Sequence, residues 1–406
     1  MGTKVAGKRH IFPHFSRIEW LLVMAIILVA IDLRPGIVSM GPAMPSMIAA
    51  FSLSHTVASL LTAIPDLLMG ALALPTPWLV RRFGVHRVLL SALLLLCLST
   101  GLRAFATDSL QLMLATIGVG GGIAVAGAMF AGIVKACFAR QAALMMGIYA
   151  TALSLGSALS AGLTGWLLQV AGWRLAVGVW ALFGLSAMVI WYVVIRQPFS
   201  VLHPTHLLPA GSINAGHVGL PLRNAKAWLL AIYFACINFL FYSLLTWTAD
   251  MYQEAGISVT AAGAVLAGFT VFFMLASLLV GMLSKKLDRR GWLFGCAMLS
   301  TIGLVGMVAT PGAWPWVWVP LSACGLGGAF ALAMTLPLDY THSPDEANRW
   351  NAFVLTVGYL IAASGPFLMG VIRDESGNFV QAYQMLAGVS LLMVMIAPFL
   401  KPQKTD

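Results

Sequence analysis

The chain has 406 residues, 60% of them hydrophobic and only 9% charged, with a mean hydropathy of +0.92. A soluble domain is about half apolar and roughly a quarter charged, so a soluble enzyme, a disordered chain, a collagen and a coiled coil are all excluded. Apolar runs of about 20 residues, the length that crosses hydrocarbon as a helix, recur along the sequence and imply an all-α polytopic membrane protein.

The basic tail 1–17 precedes an apolar run that is long and lacks a small-residue cleavage site, so it reads as a first span rather than a removed signal peptide. Twelve spans are predicted at about 18–40, 54–78, 87–107, 110–134, 143–168, 173–195, 226–250, 258–284, 291–310, 315–338, 349–372 and 379–400. The longest break, 196–225, carries Pro198, Pro204, Pro209 and Pro221 among Gly, Ser and His, which is linker composition. The expected organisation is a tail (1–17), a six-helix half (18–195), a linker (196–225), a second six-helix half (226–400) and a tail (401–406).

Lys and Arg set the orientation. Nineteen of the 23 fall in the two tails and the even-to-odd loops, three (Arg103, Arg174, Arg373) fall on the opposite side, and Arg34 lies within a span. Both termini are therefore expected in the cytoplasm, and the protein in the cell inner membrane. The net charge of +10 is then topogenic charge beside anionic lipid headgroups and calls for no nucleic acid. The five cysteines are scattered without C-x-x-C spacing, which indicates neither a disulfide framework nor a zinc site.

The two halves repeat. Pro77-Trp-Leu-Val-Arg81-Arg82-Phe-Gly84-Val-His86-Arg87 follows the second predicted span, and Gly281-Met-Leu-Ser-Lys285-Lys286-Leu-Asp288-Arg289-Arg290 follows the eighth, with the basic pairs 204 residues apart. Gly118-Val-Gly-Gly121 in the fourth span echoes Gly325-Leu-Gly-Gly328 in the tenth. Two parallel six-helix halves are the build of major facilitator transporters, and the two loops resemble that superfamily's G-x-x-x-D-R-x-G-R-R signature, with Arg81 and Lys285 standing at the motif's Asp. The resemblance implies a conformational, gating role for Arg81, Arg82, Gly84, Lys285, Lys286, Asp288 and Arg289. Gly172-Trp-Arg174 is also common in such transporters.

Further stretches are similar to the cyanate permease branch of the superfamily, which includes nitroimidazole exporters. They are Leu33-Arg34-Pro35, Gly41-Pro42-Ala-Met-Pro45, Leu60-Leu-Thr-Ala-Ile-Pro65, Tyr233-Phe234, Ile237-Asn238, Tyr242-Ser243, Trp247, Tyr252, Cys324-Gly-Leu-Gly, Gly328-Ala-Phe330 and Leu338-Asp339. That branch carries a neutral amide where this chain has Asp32 and an apolar residue where it has Asp66.

A charge at mid-bilayer is costly and usually faces a cavity or a partner. Counting about 1.5 Å per residue from outer ends near Met40 and Ser54 puts Arg34 about 9 Å deep, Asp32 about 12 Å and Asp66 about 18 Å. Asp32 and Arg34 are two apart and point to nearly opposite sides of an unbroken helix, a constraint that Pro35 loosens. Arg34 reads either as a fixed cation for the solute, since guanidinium suits planar bidentate recognition, or as a structural partner of an acid. Asp66, and after it Asp32, reads either as a proton carrier or as a permanent counter-ion.

Asn238 and Tyr242 share a helix face and can line a site with Trp247, Tyr149 and Tyr359; packing, interhelical hydrogen bonds or an aromatic belt are the alternatives. Gly118, Gly120, Gly121 and Gly122 mimic a phosphate loop, but no Gly-Lys-Ser/Thr follows, so close helix packing is the reading. With no enzyme motif and no nucleotide motif, the expectation is a monomeric, cofactor-free secondary transporter of a small molecule, with a proton gradient as its drive. Uptake of a small anion competes with export of a small aromatic or cationic solute, and a channel or sensor is the rival class.

Overall fold

The computed structural model describes residues 17–138, 142–197, 220–284, 288–341 and 344–401, and the regular structure among them is helical throughout. In chain order the α-helices are α1 (Arg17–Asp32), α2 (Pro35–Val38), α3 (Met40–Phe51), α4 (His55–Ala73), α5 (Thr76–Phe83), α6 (Val85–Ala104), α7 (Ser109–Cys137), α8 (Ala142–Gly178), α9 (Ala181–Arg196), α10 (Ala225–Glu254), α11 (Val259–Leu283), α12 (Arg290–Ala309), α13 (Pro315–Ala333), α14 (Leu336–Asp339), α15 (Pro344–Ala362), α16 (Ser364–Ser376) and α17 (Val380–Ile396). Polar caps start several of the long helices. Ser54, Asp108, Asn224 and Ser258 each accept a hydrogen bond from a backbone N–H of the first turn, which satisfies donors that the helix itself leaves free.

Among the described residues, eleven helical segments are long and apolar enough to cross a membrane. Two predicted spans differ from expectation. The first does not stop near residue 40 but runs from Arg17 to Phe51, through α1, α2 and α3. Pro42 and Pro45 do not end it, because Met40–Met44 are buried in the protein and a Cβ at Gly41 would lie on the Leu245 carbonyl of α10, at 2.5 Å. Arg34 therefore sits seventeen residues from either end of the segment, about 26 Å along the axis, and much deeper than expected.

The sixth predicted span, 173–195, is not one long helix. Gly172, with φ 73° and ψ 172°, turns the chain out of the fifth span, residues 173–178 lead in, and α9 supplies a further 16 residues. A positive φ is cheap only for glycine, so this turn rests on Gly172.

The internal repeat is visible in packing. In the N-terminal half, Gly118 of α7 lies on Ser99 of α6, and a Cβ at Gly120 would meet Pro65 of α4 at 2.7 Å. In the C-terminal half, Gly325 of α13 lies on Ser300 of α12, and Gly327 on the Phe273 backbone of α11. The same glycine positions thus seat the fourth helix of each half on its third and second. The two halves meet along α4 with α15 and α16, α8 with α11, and α3 with α10. Small residues again allow the approach: a Cβ at Gly263 would lie 2.9 Å from the Ala161 carbonyl, and one at Gly70 would lie 3.2 Å from the Thr356 carbonyl. The seventh segment, α10, is buried along nearly its whole length.

Candidate functional site: a cation, an acid and three phenols between the halves

Pro35 has no N–H to give to the Ile31 carbonyl, and the first segment breaks at Leu33 and Arg34. The break lets the Arg34 side chain leave the helix toward the seam between the halves. There its guanidinium lies against the phenol of Tyr242 on α10, and Tyr359 on α15, Tyr149 on α8 and Asp66 on α4 lie within its electrostatic reach. The Tyr242 and Tyr359 rings are neighbours, with centroids 6.3 Å apart. Asp66 is fully buried, and neither of its carboxylate oxygens has a hydrogen-bond partner.

The walls are aromatic. Phe130 stacks on Tyr149 at 5.2 Å, Phe234 meets Tyr359 edge-on at 5.9 Å, and Phe241 meets Tyr242 at 5.2 Å. Arg34, Tyr149 and Tyr359 are each partly exposed, although all three lie well inside segments long and apolar enough to cross a membrane. The arrangement offers one forked cation, one buried acid with open lone pairs and three hydroxyls within aromatic walls, which is the donor and acceptor set of a small-solute site.

Five of the eight candidate central residues from the sequence thus converge: Arg34, Asp66, Tyr149, Tyr242 and Tyr359. The other three lie elsewhere. Asp32 faces α6 and α9, with Oδ1 3.3 Å from where a Cβ on Gly184 would stand, and it is buried with Oδ2 unpartnered. This follows from its position two residues from Arg34, which turns it to the opposite side. Asn238 donates to the Phe234 carbonyl one turn back on its own helix, at 2.9 Å. Trp247 donates to the Pro366 carbonyl at 2.9 Å and packs on His55 and Phe379 nearer the far face, the face opposite the basic loops.

On the basic face, Arg81 and Arg82 end α5 in exposed positions, with Arg82 5.4 Å over the Trp78 ring, and Gly84 closes that helix at φ 83°. Lys285 and Lys286 lie outside the described residues. Asp288 pairs with Arg290 at 2.7 Å, whose hydrogen bonds pull its carboxyl down to about 2. Arg289 pairs with Asp339 at 3.5 Å and hydrogen-bonds Thr335. Burial raises the Asp339 carboxyl above its ordinary value despite that arginine.

Sequence reasoning missed a polar latch on the far face. Asp374, at the end of α16, accepts from the His55 and Thr56 backbone N–H groups at 2.9 and 2.8 Å and from the Thr56 hydroxyl at 2.6 Å, with His55 Nδ1 2.8 Å away. A carboxylate of one half thereby caps the N-terminus of α4 in the other, where the helix dipole and free N–H groups favour an anion. Glu254 lies 4.0 Å from His55 Nε2 and is held by Arg373 at 2.7 Å. Charges at span ends are ordinary in a sequence, so nothing there marks these residues. Among the described residues, the hydrogen bonds that join the halves lie at the level of Arg34 or toward the far face, Thr62 to Thr246 at 2.9 Å and Gln253 to the Pro42 carbonyl at 3.4 Å included.

Charge-assisted hydrogen bonds contribute about 1.5–3 kcal/mol each. Replacing Asp374 by Ala should therefore shift the balance toward a state open on the far face by about tenfold or more. Spin labels on cysteines at Thr107 and Asn378, both exposed on that face, should gain a longer-distance population in Asp374→Ala. An unchanged distance distribution in that variant would remove the latch from the conformational balance.

The chain matches the Major Facilitator Superfamily over residues 22–254 and 247–406. It is 31% identical to the cyanate transport protein CynX of Escherichia coli (strain K12), over 94% of this chain and 98% of that one. The 2-nitroimidazole transporter of the same organism is 29% identical over 98% and 96%. Among solved structures, a bacterial homologue of the human lysosomal transporter Spinster, in an inward-facing and occupied conformation, superposes with a TM-score of 0.74 at 18% identity, over 95% and 97% of the two chains. A D-xylose–proton symporter gives 0.72 at 16% identity, over 94% and 97%. At those identities the structures bear on the fold alone. The match across both halves, with a relative above 30% identity along nearly its full length, establishes that this multi-pass membrane protein belongs to the Major Facilitator Superfamily.

Proposed function

We propose that the chain is a proton-coupled secondary transporter of a small, flat solute of the size of cyanate or a nitroimidazole, with Arg34 as the recognition cation and Asp66 as the proton carrier. The observation that carries this reading is the placement of a partly exposed Arg34 within electrostatic reach of a fully buried Asp66 whose oxygens have no hydrogen-bond partner. With the site empty, the Arg34 guanidinium lies within electrostatic reach of the buried Asp66 and favours its ionised form. A solute anion or nitro group that takes the guanidinium offsets the positive field that favours an ionised Asp66, and a buried carboxylate without that field takes up a proton rather than remain charged. Solute and proton then enter the same state together, and rocking of the halves about the site exposes both to the other side. No cofactor enters this scheme, and a single chain contains every group that it uses.

Cyanate-like uptake is supported by the relative named for cyanate transport. Export of a small aromatic compound, in which solute and proton occupy the site in alternate states rather than together, is the second reading. It is favoured by the Phe130–Tyr149 stack and the Phe234–Tyr359 contact beside Arg34, and by the relative named for 2-nitroimidazole. In either case the nineteen Lys and Arg residues of the tails and the even-to-odd loops support a cytoplasmic position for the basic face. A cysteine at Asn378 should then react with an impermeant maleimide on intact cells.

The test is purified protein in proteoliposomes with an imposed pH gradient, offered cyanate, nitroimidazoles and small organic cations. Accumulation of one of these that collapses with the gradient is the expected result. Fluxes no greater than those of empty vesicles would dismiss this solute class, and flux indifferent to the gradient would dismiss proton coupling.

A further inference from the structure

Arg103 ends α6, and its side chain has no exposed surface. A basic residue in the last turn of a span ordinarily reaches headgroups or water. This one points into the N-terminal half, where Nη1 donates to the Gly36 carbonyl at 2.5 Å, while Nε and Nη2 have no hydrogen-bond partner. Stripping a guanidinium of water for one carbonyl is unfavourable. The position of that carbonyl explains why the chain keeps it there.

Gly36 lies two residues after Arg34, within the short α2 helix that follows the Pro35 break. Ile31 lies three residues before Arg34, and its carbonyl is the one that Pro35 leaves without a helical donor. Gly156 of α8 packs on that carbonyl so closely that a Cβ there would collide with it. The broken segment is therefore gripped on both sides of Arg34, by Gly156 before it and by Arg103 after it. The buried Asp32 carboxyl lies beside Cys97 of the same helix as Arg103 and forms no ion pair with that arginine.

We infer that Arg103 is a positioning residue: by holding the Gly36 carbonyl it fixes the direction in which the broken first segment delivers Arg34 to Tyr242 and the centre. The inference rests on the reading of Arg34 as the recognition cation for its importance, but the geometry it claims can be measured with no solute present. One carbonyl needs one donor, so a Lys at 103 can serve. At Arg34 the planar fork is required, and Lys cannot serve.

The experiment places 3-fluorotyrosine at position 242 and reads its fluorine resonance in purified protein without solute, with Arg34→Ala marking the resonance of a phenol that has lost the guanidinium. Arg103→Met is expected to move the resonance most of the way to the Arg34→Ala position, and Arg103→Lys to leave it at the wild-type position. In an Arg34→Ala background, Arg103→Met should move it no further. A folded Arg103→Met protein with the wild-type resonance would overturn the inference. If Arg103→Met does not accumulate, Arg103→Gln, whose shorter stem cannot reach the carbonyl, is read instead against Arg103→Lys, and equal resonances for those two would overturn it as well. Transport-normal Arg34→Ala in vesicles would instead sink the recognition role of Arg34 and leave the fluorine result standing.

Discussion

Arg34→Ala is expected to insert and fold yet to lose transport of the responding solute by about 100-fold, and Arg34→Lys by about tenfold or more. The magnitudes follow from the interaction being removed. A charged hydrogen bond contributes about 1.5–3 kcal/mol, a forked pair engages two of them, and each 1.4 kcal/mol is a factor of about ten. Lys keeps the charge, so the part of the loss seen in Arg34→Lys measures the planar fork alone. Initial flux against solute concentration separates the cases: a loss confined to half-saturation identifies recognition, and a loss confined to maximal rate identifies a role in the conformational cycle. Normal flux in Arg34→Lys would rule out forked recognition. Failure of Arg34→Ala to accumulate, with recovery in Arg34→Ala/Asp66→Asn, would make the two a structural pair.

Asp66→Asn is expected to lose uphill accumulation driven by a pH gradient while it retains solute counterflow across the same vesicles. Asn has nearly the shape of a protonated Asp and cannot release a proton, so it fixes one of the two states through which a carrier must pass. The structure makes this variant a mild one sterically, because neither oxygen of Asp66 holds a hydrogen bond that Asn would break. Counterflow should therefore stay within about threefold of wild type, whereas uphill flux should fall to the level of empty vesicles, a loss of tenfold or more. A permanent counter-ion of Arg34 predicts a different pattern: removal of its charge leaves a buried cation uncompensated, an unfavourable change of about 3–5 kcal/mol, and binding, exchange and expression fall together. Loss of both fluxes in a folded Asp66→Asn protein, or of neither, would transfer the proton-carrier role to Asp32, which is also buried with an open oxygen.

Much of the architecture follows from one-dimensional physics. Hydrocarbon forces each span to satisfy its backbone internally, so apolar runs of crossing length, the Pro-rich break after residue 196 and the duplicated basic loops were enough to call for a helical, two-part transporter fold. The paired glycine runs at Gly118 and Gly325 carried the repeat down to individual contacts, because only a missing Cβ lets one helix lie on the backbone of another. The presence of Arg34 and Asp66 in apolar runs singled them out by cost alone.

Tertiary structure decided what a linear count could not. The depth of Arg34 depended on whether Pro42 and Pro45 end the first segment, and packing against α10 keeps that segment helical to Phe51. Asn238 and Tyr242 share a face in sequence, yet the amide turns back on its own helix while the phenol meets Arg34, a choice made by side-chain rotation and neighbouring groups. The Asp374 cap on α4 joins residues more than 300 apart, and Arg103 reaches Gly36 across 67. Neither carries a local signal, because an acid or an arginine at a span end has the same sequence whether it meets water, lipid or a particular backbone group; only the packing of the helices supplies the partner.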